Sequence, residues 1–336
     1  MAPPEDRPLR KEIISNPLFR TIFTRLGLGF VTLFAVSLII FAAIAVLPGD
    51  FAKATLGRAA TPETVANFQK SLGLDRPVAE RYLKWIGGAV TGDLGLSFSS
   101  GSGTPRTVGS IIGPRLKNTL FLAGITALVA IPIALLLGII AAIRRNSWLD
   151  RILNAVTLAS ISFPEFFVAY VLMLLLAVKL PLFYSLARVT PSMGSIEVLE
   201  RIALPVLTLS FGIIAHMMRM TRAAIIGLLS HPYIEMAKLK GVPPWRVILR
   251  HALPNAWAPI VAVIAFNLAY LIVGVVVVEV VFVYPGIGQA MVDAVRSRDI
   301  PVVQGCALIF AASYILLNLL ADVIAIATNP RLAHPR

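Results

Sequence analysis

Three carboxylates stand within or beside long apolar runs of the 336-residue chain: Glu165, Glu279 and Asp322. An ionised carboxylate at mid-bilayer costs about 2.5–3.5 kcal/mol, so such groups face protein or water rather than lipid. Glu165 follows Pro164 in mid-run, where a proline frees a backbone carbonyl and bends a helix. It is the best candidate for lining a polar pathway, with a buried structural pair as the alternative. Glu279 comes just before the Pro285-Gly286 turn, which suits a gate or a packing role. Asp322 approaches the end of the last run and reads as interfacial. Proton-coupled transport would use such acids, but nothing in the sequence strings them into a relay. His216-Met217-Met218-Arg219-Met220 offers soft metal donors. Adjacent residues point around a helix instead of converging, so packing is the expectation there. His251 reads as structural and His231 as a cap or loop residue. Cys306 is the sole cysteine, so neither an intramolecular disulfide nor a zinc site is expected.

Nucleotide and hydrolase signatures are missing. No glycine is followed by lysine, which excludes a Gly-x-x-x-x-Gly-Lys-Ser/Thr phosphate loop, and neither His-Glu-x-x-His nor Gly-x-Ser-x-Gly occurs.

The elements that position these residues are membrane spans. The chain is 57% hydrophobic and 14% charged, with a mean hydropathy of +0.83. Ordinary soluble domains carry about 45–50% apolar and about 25% charged residues. Six runs read as transmembrane helices: Leu26–Leu47, Thr119–Ile143, Ala155–Leu180, Ile202–Ile226, Trp257–Val283 and Val302–Ala327. Arg219 and Arg222 at the end of the fourth read as snorkelling to an interface. The first run is too long for a signal peptide and ends in Leu47-Pro48-Gly49-Asp50 rather than a cleavage site, so it reads as a retained anchor.

In a soluble protein the net charge of +13 would suggest nucleic acid; here the basic residues lie between spans and set orientation. Arg7, Arg10, Lys11, Arg20 and Arg25 precede the first span, and Arg144, Arg145 and Arg151 follow the second. Arg219, Arg222, Lys238, Lys240, Arg246 and Arg250 cluster after the fourth, and Arg331 and Arg336 close the chain. The two short loops on the other side carry Arg188 and Arg201, then Arg296 and Arg298, while the segment 48–118 is too long for its charges to bear on topology. This bias places both termini in the cytoplasm.

The expected organisation is a cytoplasmic tail 1–25, a first span with a long outer region over 26–118, a five-helix core over 119–327 with a cytoplasmic segment 228–256, and a tail 328–336. In the outer region Thr61-Pro62-Glu63 predicts a helix start, with Val65, Phe68 and Leu72 on one face and Gly73 as the stop. A second helix after Pro77 carries Val78, Tyr82 and Trp85 on a stripe and is expected to end at Gly87-Gly88. The region is either a lid over helix ends or a docking surface for an external partner. In the cytoplasmic segment a helix is expected from Pro232 to Lys240, stopped by Gly241 and turned by Val242-Pro243-Pro244. A second helix over Trp245–Ala252 is expected to end at Pro254. Helix, glycine turn and helix make a rigid protrusion suited to mechanical contact with a soluble partner.

Glu235-Met236-Ala237-x-x-x-Gly241, followed after nine residues by His251-Ala252-Leu253-Pro254-Asn255, resembles the EAA motif of permease subunits of ABC importers, with Met236 where a second alanine is usual. Further pieces are similar to the peptide/nickel (dipeptide/oligopeptide) permease branch: Leu47-Pro48-Gly49-Asp50, Leu72-Gly73-Leu74-Asp75-Arg76-Pro77, Gly92-Asp93-Leu94-Gly95 and Arg219-x-x-Arg222. Glu279-x-x-Phe282-x-x-Pro285-Gly286-x-Gly288, Arg298-Asp299-x-Pro301 and Asn329-Pro330-Arg331 complete an ordered set that covers nearly the whole chain.

The resemblance implies an all-α membrane protein of six transmembrane helices with the type I ABC-importer permease fold. It implies half of a translocation pathway shared with a second permease, a paralogue or an identical copy. It also implies two cytoplasmic ABC ATPases that use ATP and Mg, and an extracytoplasmic solute-binding protein, in the inner membrane of a prokaryote. The chain itself is expected to be non-catalytic, to bind no cofactor or metal, and to take no nucleic acid. Glu235, Ala237, Gly241, His251, Leu253, Pro254 and Asn255 are the coupling candidates that the motif implies. Glu235 is the polar contact and Gly241 the turn, although Glu235 could also be a solvated carboxylate favoured by the helix dipole. Glu235→Ala or Gly241→Asp is expected to leave insertion intact and abolish ATP-driven uptake. Glu165, Glu279, Pro285, Gly286 and Gly288 are candidates for the pathway or its gate. Small peptides are the leading cargo, with nickel chelates, opine-like compounds or oligosaccharides as alternatives. Outside the class, the alternative is an ion-driven secondary transporter.

Overall fold

Long apolar runs without breakers leave the backbone no partner but itself, and the computed structural model is helical almost throughout. It describes residues 17–46, 60–71, 73, 75–99 and 106–328. The segments Met1–Asn16, Leu47-Pro48-Gly49-Asp50 and Asn329-Pro330-Arg331, together with Leu72 and Leu74, lie outside the described residues, as does the side chain of Phe68. Twelve helices are described: α1 Pro17–Val46, α2 Pro62–Ser71, α3 Val78–Thr91, α4 Val108–Ile143, α5 Trp148–Ser162, α6 Glu165–Leu172, α7 Ser195–Leu228, α8 Pro232–Leu239, α9 Pro244–Arg246, α10 Leu253–Val281, α11 Ile287–Arg296 and α12 Ile300–Thr328. Two π-helical turns, Met173–Lys179 and Val247–Ala252, adjoin α6 and α10. The described residues hold no strand, only an isolated bridge between Leu96 and Thr107.

Stretches of α1, α4, α7, α10 and α12 are each long and apolar enough to cross a membrane. The remaining span, expected as one helix over 155–180, is instead a pair, α5 and α6 with its π-turn, bent by 104°. Pro164 causes the break. It lacks an N–H and forces the preceding residue out of the helical region, and Phe163 is extended at φ −95° and ψ 135°.

The chain divides into two compact units. The first comprises residues 1–31, 121–284 and 313–336. Its core joins Leu204, Leu209 and Ile213 of α7 to Leu271, Val275 and Val278 of α10, with Leu122 and Ala130 of α4 and Ala169 of α6. Gly138 of α4 sits where a Cβ would lie 2.9 Å from the Met218 carbonyl oxygen of α7, the close backbone approach that small residues permit between membrane helices. Arg222 does not snorkel. Its Nε and Nη2 donate to the two Asp150 carboxylate oxygens, both at 2.7 Å, pinning α7 to the start of α5. Asp150 also accepts from the Asn146 amide and the Asn154 side chain. Asp322 pairs with Arg25 at 2.8 Å, both side chains partly exposed.

The second unit comprises residues 32–120 and 285–312. Thr61 caps α2, its hydroxyl accepting from the Thr64 amide while the Thr64 hydroxyl accepts from the Thr61 amide. Tyr82 of α3 is buried between Phe34 and Phe41 and shares a hydrogen bond with Ser37, whereas Val78 is exposed, off the expected stripe. α3 runs through Gly87-Gly88 to Thr91 and stops at Gly92, φ +85°. The chain then folds back over Gly88, whose carbonyl accepts from the Asp93 amide at 2.8 Å. A Cβ on Gly88 would lie 2.6 Å from the Asp93 carbonyl oxygen, against nothing within 4 Å at Gly87. Gly88→Ala is therefore expected to destabilise this unit by about 1–3 kcal/mol. Gly87→Ala is neutral or stabilising; thermal unfolding of the two purified variants checks the contrast.

Asp299 organises the same unit. It is buried and accepts from the Ser97 hydroxyl and the Phe98 and Ser99 amides, which joins the segment after Gly92-Asp93-Leu94-Gly95 to Arg298-Asp299-x-Pro301. Asn118 donates to the Pro285 carbonyl and the Thr119 hydroxyl accepts from the Ile287 amide, fixing the turn that opens α11.

Candidate functional site

The segment 228–256 is built on a small apolar nucleus. Ile234 and Ala237 of α8 pack with Val247 and Ala252 across the turn, with Leu229 and Val242 alongside. Because α8 has a helical period, burying Ile234 and Ala237 turns Tyr233, Met236 and Leu239 outward, and all three are exposed. Leu239 is 77% exposed. Glu235 shares the exposed side, in the first turn of α8, and enters no ion pair among the described residues. Gly241 adopts φ +76°, and its amide donates to the Lys238 carbonyl while that of Val242 reaches Ala237. Such a left-handed terminus is what a glycine permits after a helix.

Two sequence expectations change here. Ala237 is an inward packing residue, since its small side chain lets α8 lie close to Val247. The second helix does not end at Pro254, because α9, the π-turn Val247–Ala252 and α10 follow one another without a break. The π-turn, with its wider hydrogen bonding, accommodates the amide that Pro254 lacks. Arg250, His251 and Ala252 belong to that turn, and Leu253, Pro254 and Asn255 begin α10. The Asn255 side chain donates to the His251 carbonyl.

A second feature of the first unit lies at the α5–α6 break. A cavity of about 330 Å3 is lined by Glu165, with Ser160 and Phe163 beside it, Thr208, Phe211, Gly212 and His216 of α7, and Phe266, Asn267 and Tyr270 of α10. Glycine makes the room: a Cβ on Gly274 would lie 3.2 Å from a Glu165 carboxylate oxygen. The Tyr270 hydroxyl stands beside that carboxylate. Tyr270 and Asn267 went unnoticed in the sequence because a single tyrosine or asparagine in an apolar run carries no motif; their spacing of three residues on α10 was the available signal. His216, expected to pack, lines the cavity and leans on Phe266 at 6.1 Å between ring centres. No cluster of three or more His, Cys, Asp or Glu that could hold a metal ion occurs among the described residues.

Glu279 is fully buried in the first unit, near Tyr284. Burial and, after it, the Glu279 carboxylate raise the Tyr284 hydroxyl above its ordinary range. Pro285, Gly286 and Gly288 belong to the second unit, where Gly286 precedes α11 in extended conformation.

Residues 134–334 match the family described as binding-protein-dependent transport system inner membrane component. Residues 18–105 match the N-terminal region described for such membrane components. The chain is 37% identical over 303 residues to the glutathione transport system permease protein GsiC of Escherichia coli O6:H1, covering 90% of this chain and 95% of that one. GsiC of Escherichia coli K12 and that of Shigella dysenteriae serotype 1 are each 36% identical over the same shares.

Proposed function

The chain belongs to the family of binding-protein-dependent transport system inner membrane components, and from that premise we propose that it forms half of the pathway of an ATP-driven importer of di- and oligopeptide-like cargo. As a member of that family it is a multi-pass permease of the inner membrane, served by a solute-binding protein and by ATPase subunits. This sets aside the ion-driven alternative. The peptide cargo is supported by the relatives' name, since glutathione is a tripeptide.

The finer assignments are ours. A second permease, paralogue or identical copy, completes the pathway, and two ATPases bind ATP and Mg. This chain is non-catalytic and holds no cofactor, in keeping with a sequence that lacks a phosphate loop. Both termini and α8 face the cytoplasm. The observation that carries the coupling role is the rigid α8, held from behind by Ile234 and Ala237 with Tyr233, Met236 and Leu239 exposed. Glu235 is its polar contact with the ATPase and Gly241 sets its angle. His251, Leu253, Pro254 and Asn255 carry motion from α8 into α10. Glu165 lines the pathway, Glu279 is a gate candidate in the first unit, and Pro285, Gly286 and Gly288 are gate candidates in the second.

The test is uptake of glutathione or dialanine by proteoliposomes holding the purified importer and its binding protein. Uptake is expected to follow internal ATP and to survive collapse of the proton gradient. Glu235→Ala is expected to lower it by about tenfold or more, the loss of one charge-assisted contact. Uptake that needs only a proton gradient overturns the function. Full uptake by Glu235→Ala overturns that residue's role alone.

A further inference from the structure

We infer that the cavity around Glu165 is a station for a cationic ammonium group, the free amino terminus of a peptide or a comparable amine, within the pathway. The inference rests on the reading of this cavity as pathway, which it deepens by naming the chemistry recognised.

Three observations carry it. First, the lining holds a carboxylate and neither arginine nor lysine, so its fixed charge is negative unless His216 is protonated. Second, although Glu165 stands in the first turn of α6, its carboxylate reaches towards the neighbouring helices. The Glu165 oxygens point across the cavity to the space left by Gly274, at 3.2 and 3.3 Å from where a Cβ would stand, and towards Gly212. Third, Phe163, Phe211, Phe266 and Tyr270 surround the same space, and aromatic faces attract an organic cation once water is thinned. An ammonium fits this set and a metal ion does not, because one carboxylate and one imidazole fall short of a metal's ligand number. The Tyr270 and Ser160 hydroxyls and the Asn267 amide supply acceptors for the remaining ammonium protons. One charge pair amid neutral acceptors also suits a pathway, where a site must bind and then release.

The experiment labels the complete reconstituted importer with dicyclohexylcarbodiimide, which modifies carboxyl groups in apolar surroundings, and reads the adduct at Glu165 by mass spectrometry. Glu165→Gln fixes the assignment. Dialanine is the probe and N-acetyl-dialanine its uncharged-amine control. An amide formed between Glu165 and bound dialanine counts as occupancy. The half-protecting concentration of the acetylated probe is expected to exceed that of dialanine by about tenfold or more, the loss of a charge-assisted hydrogen bond. Equal protection by both, or by neither, with Glu165 labelled, overturns the ammonium assignment and leaves the pathway reading standing. Absence of any adduct at Glu165 both at neutral pH and at about pH 4, where an accessible carboxylate protonates, while other carboxyls in the membrane are labelled, shows the cavity to be closed, which overturns both.

Discussion

Uptake by an importer carrying Gly241→Val is expected to fall by at least about fivefold, with the chain still inserted and assembled. Gly241 sits at φ +76°, and a Cβ there would meet nothing within 4 Å. The variant is therefore opposed by the backbone alone, with no collision to unfold the core. A β-branched residue in the left-handed region is a true outlier, at a cost of about 1–3 kcal/mol. That cost shifts the turn after α8 toward other conformations and lowers the fraction with α8 correctly aimed, about tenfold for each 1.4 kcal/mol. Asparagine and aspartate visit this region more readily. Gly241→Asn is thus expected to keep most of the uptake, and with Gly241 at φ +76° the complete loss that the sequence led us to expect of Gly241→Asp becomes a partial one, set by its charge at a helix C-terminus rather than by strain. Initial uptake rates of the three variants, normalised to inserted protein, check the order Asn above Asp above Val. A valine variant as active as asparagine would remove the angle of α8 from the coupling account.

Asp150→Ala is expected to have the larger effect on stability, about 3–5 kcal/mol, because it strands a largely buried guanidinium. Asp150 has only 4% of its side chain exposed and Arg222 23%, with both bonds at 2.7 Å. Removing both charges with Asp150→Leu and Arg222→Met removes the stranding, so the double variant is expected to be more stable than Asp150→Ala alone. Thermal unfolding of the purified complexes in detergent reads the order. A double variant less stable than the single one would mean that the pair stabilises beyond its own desolvation.

Why some features were legible in the sequence and others were not follows from range. Apolar runs report their own burial, so the helices of five spans and the caps at Thr61 and Gly241 were visible locally. The break at Phe163-Pro164 was visible as a bend, but its angle of 104° is set by what α5 and α6 pack against. The run through Gly87-Gly88 was misjudged because glycine there answers a close approach by Asp93 rather than a stop. The continuation past Pro254 depends on a π-turn that no residue pattern announces. Asp150 and Arg222 are 72 residues apart, and the sequence offered Arg222 only an interface. Glu165 was found because an acid in an apolar run is conspicuous. Its neighbours Tyr270, Asn267 and His216 come from other helices and become a set only when α7 and α10 pack together.

The central claim, that α8 transmits the ATPase stroke, is tested most directly by photo-cross-linking from a benzoylphenylalanine at Leu239, the exposed end of α8, in the assembled, transport-competent importer. Val78, also exposed but on α3 of the second unit, is the comparison. A covalent adduct of this chain with an ATPase subunit from position 239, and none from position 78, is the expected result. An active importer with no ATPase adduct from position 239, or one that yields it from position 78, would contradict the account.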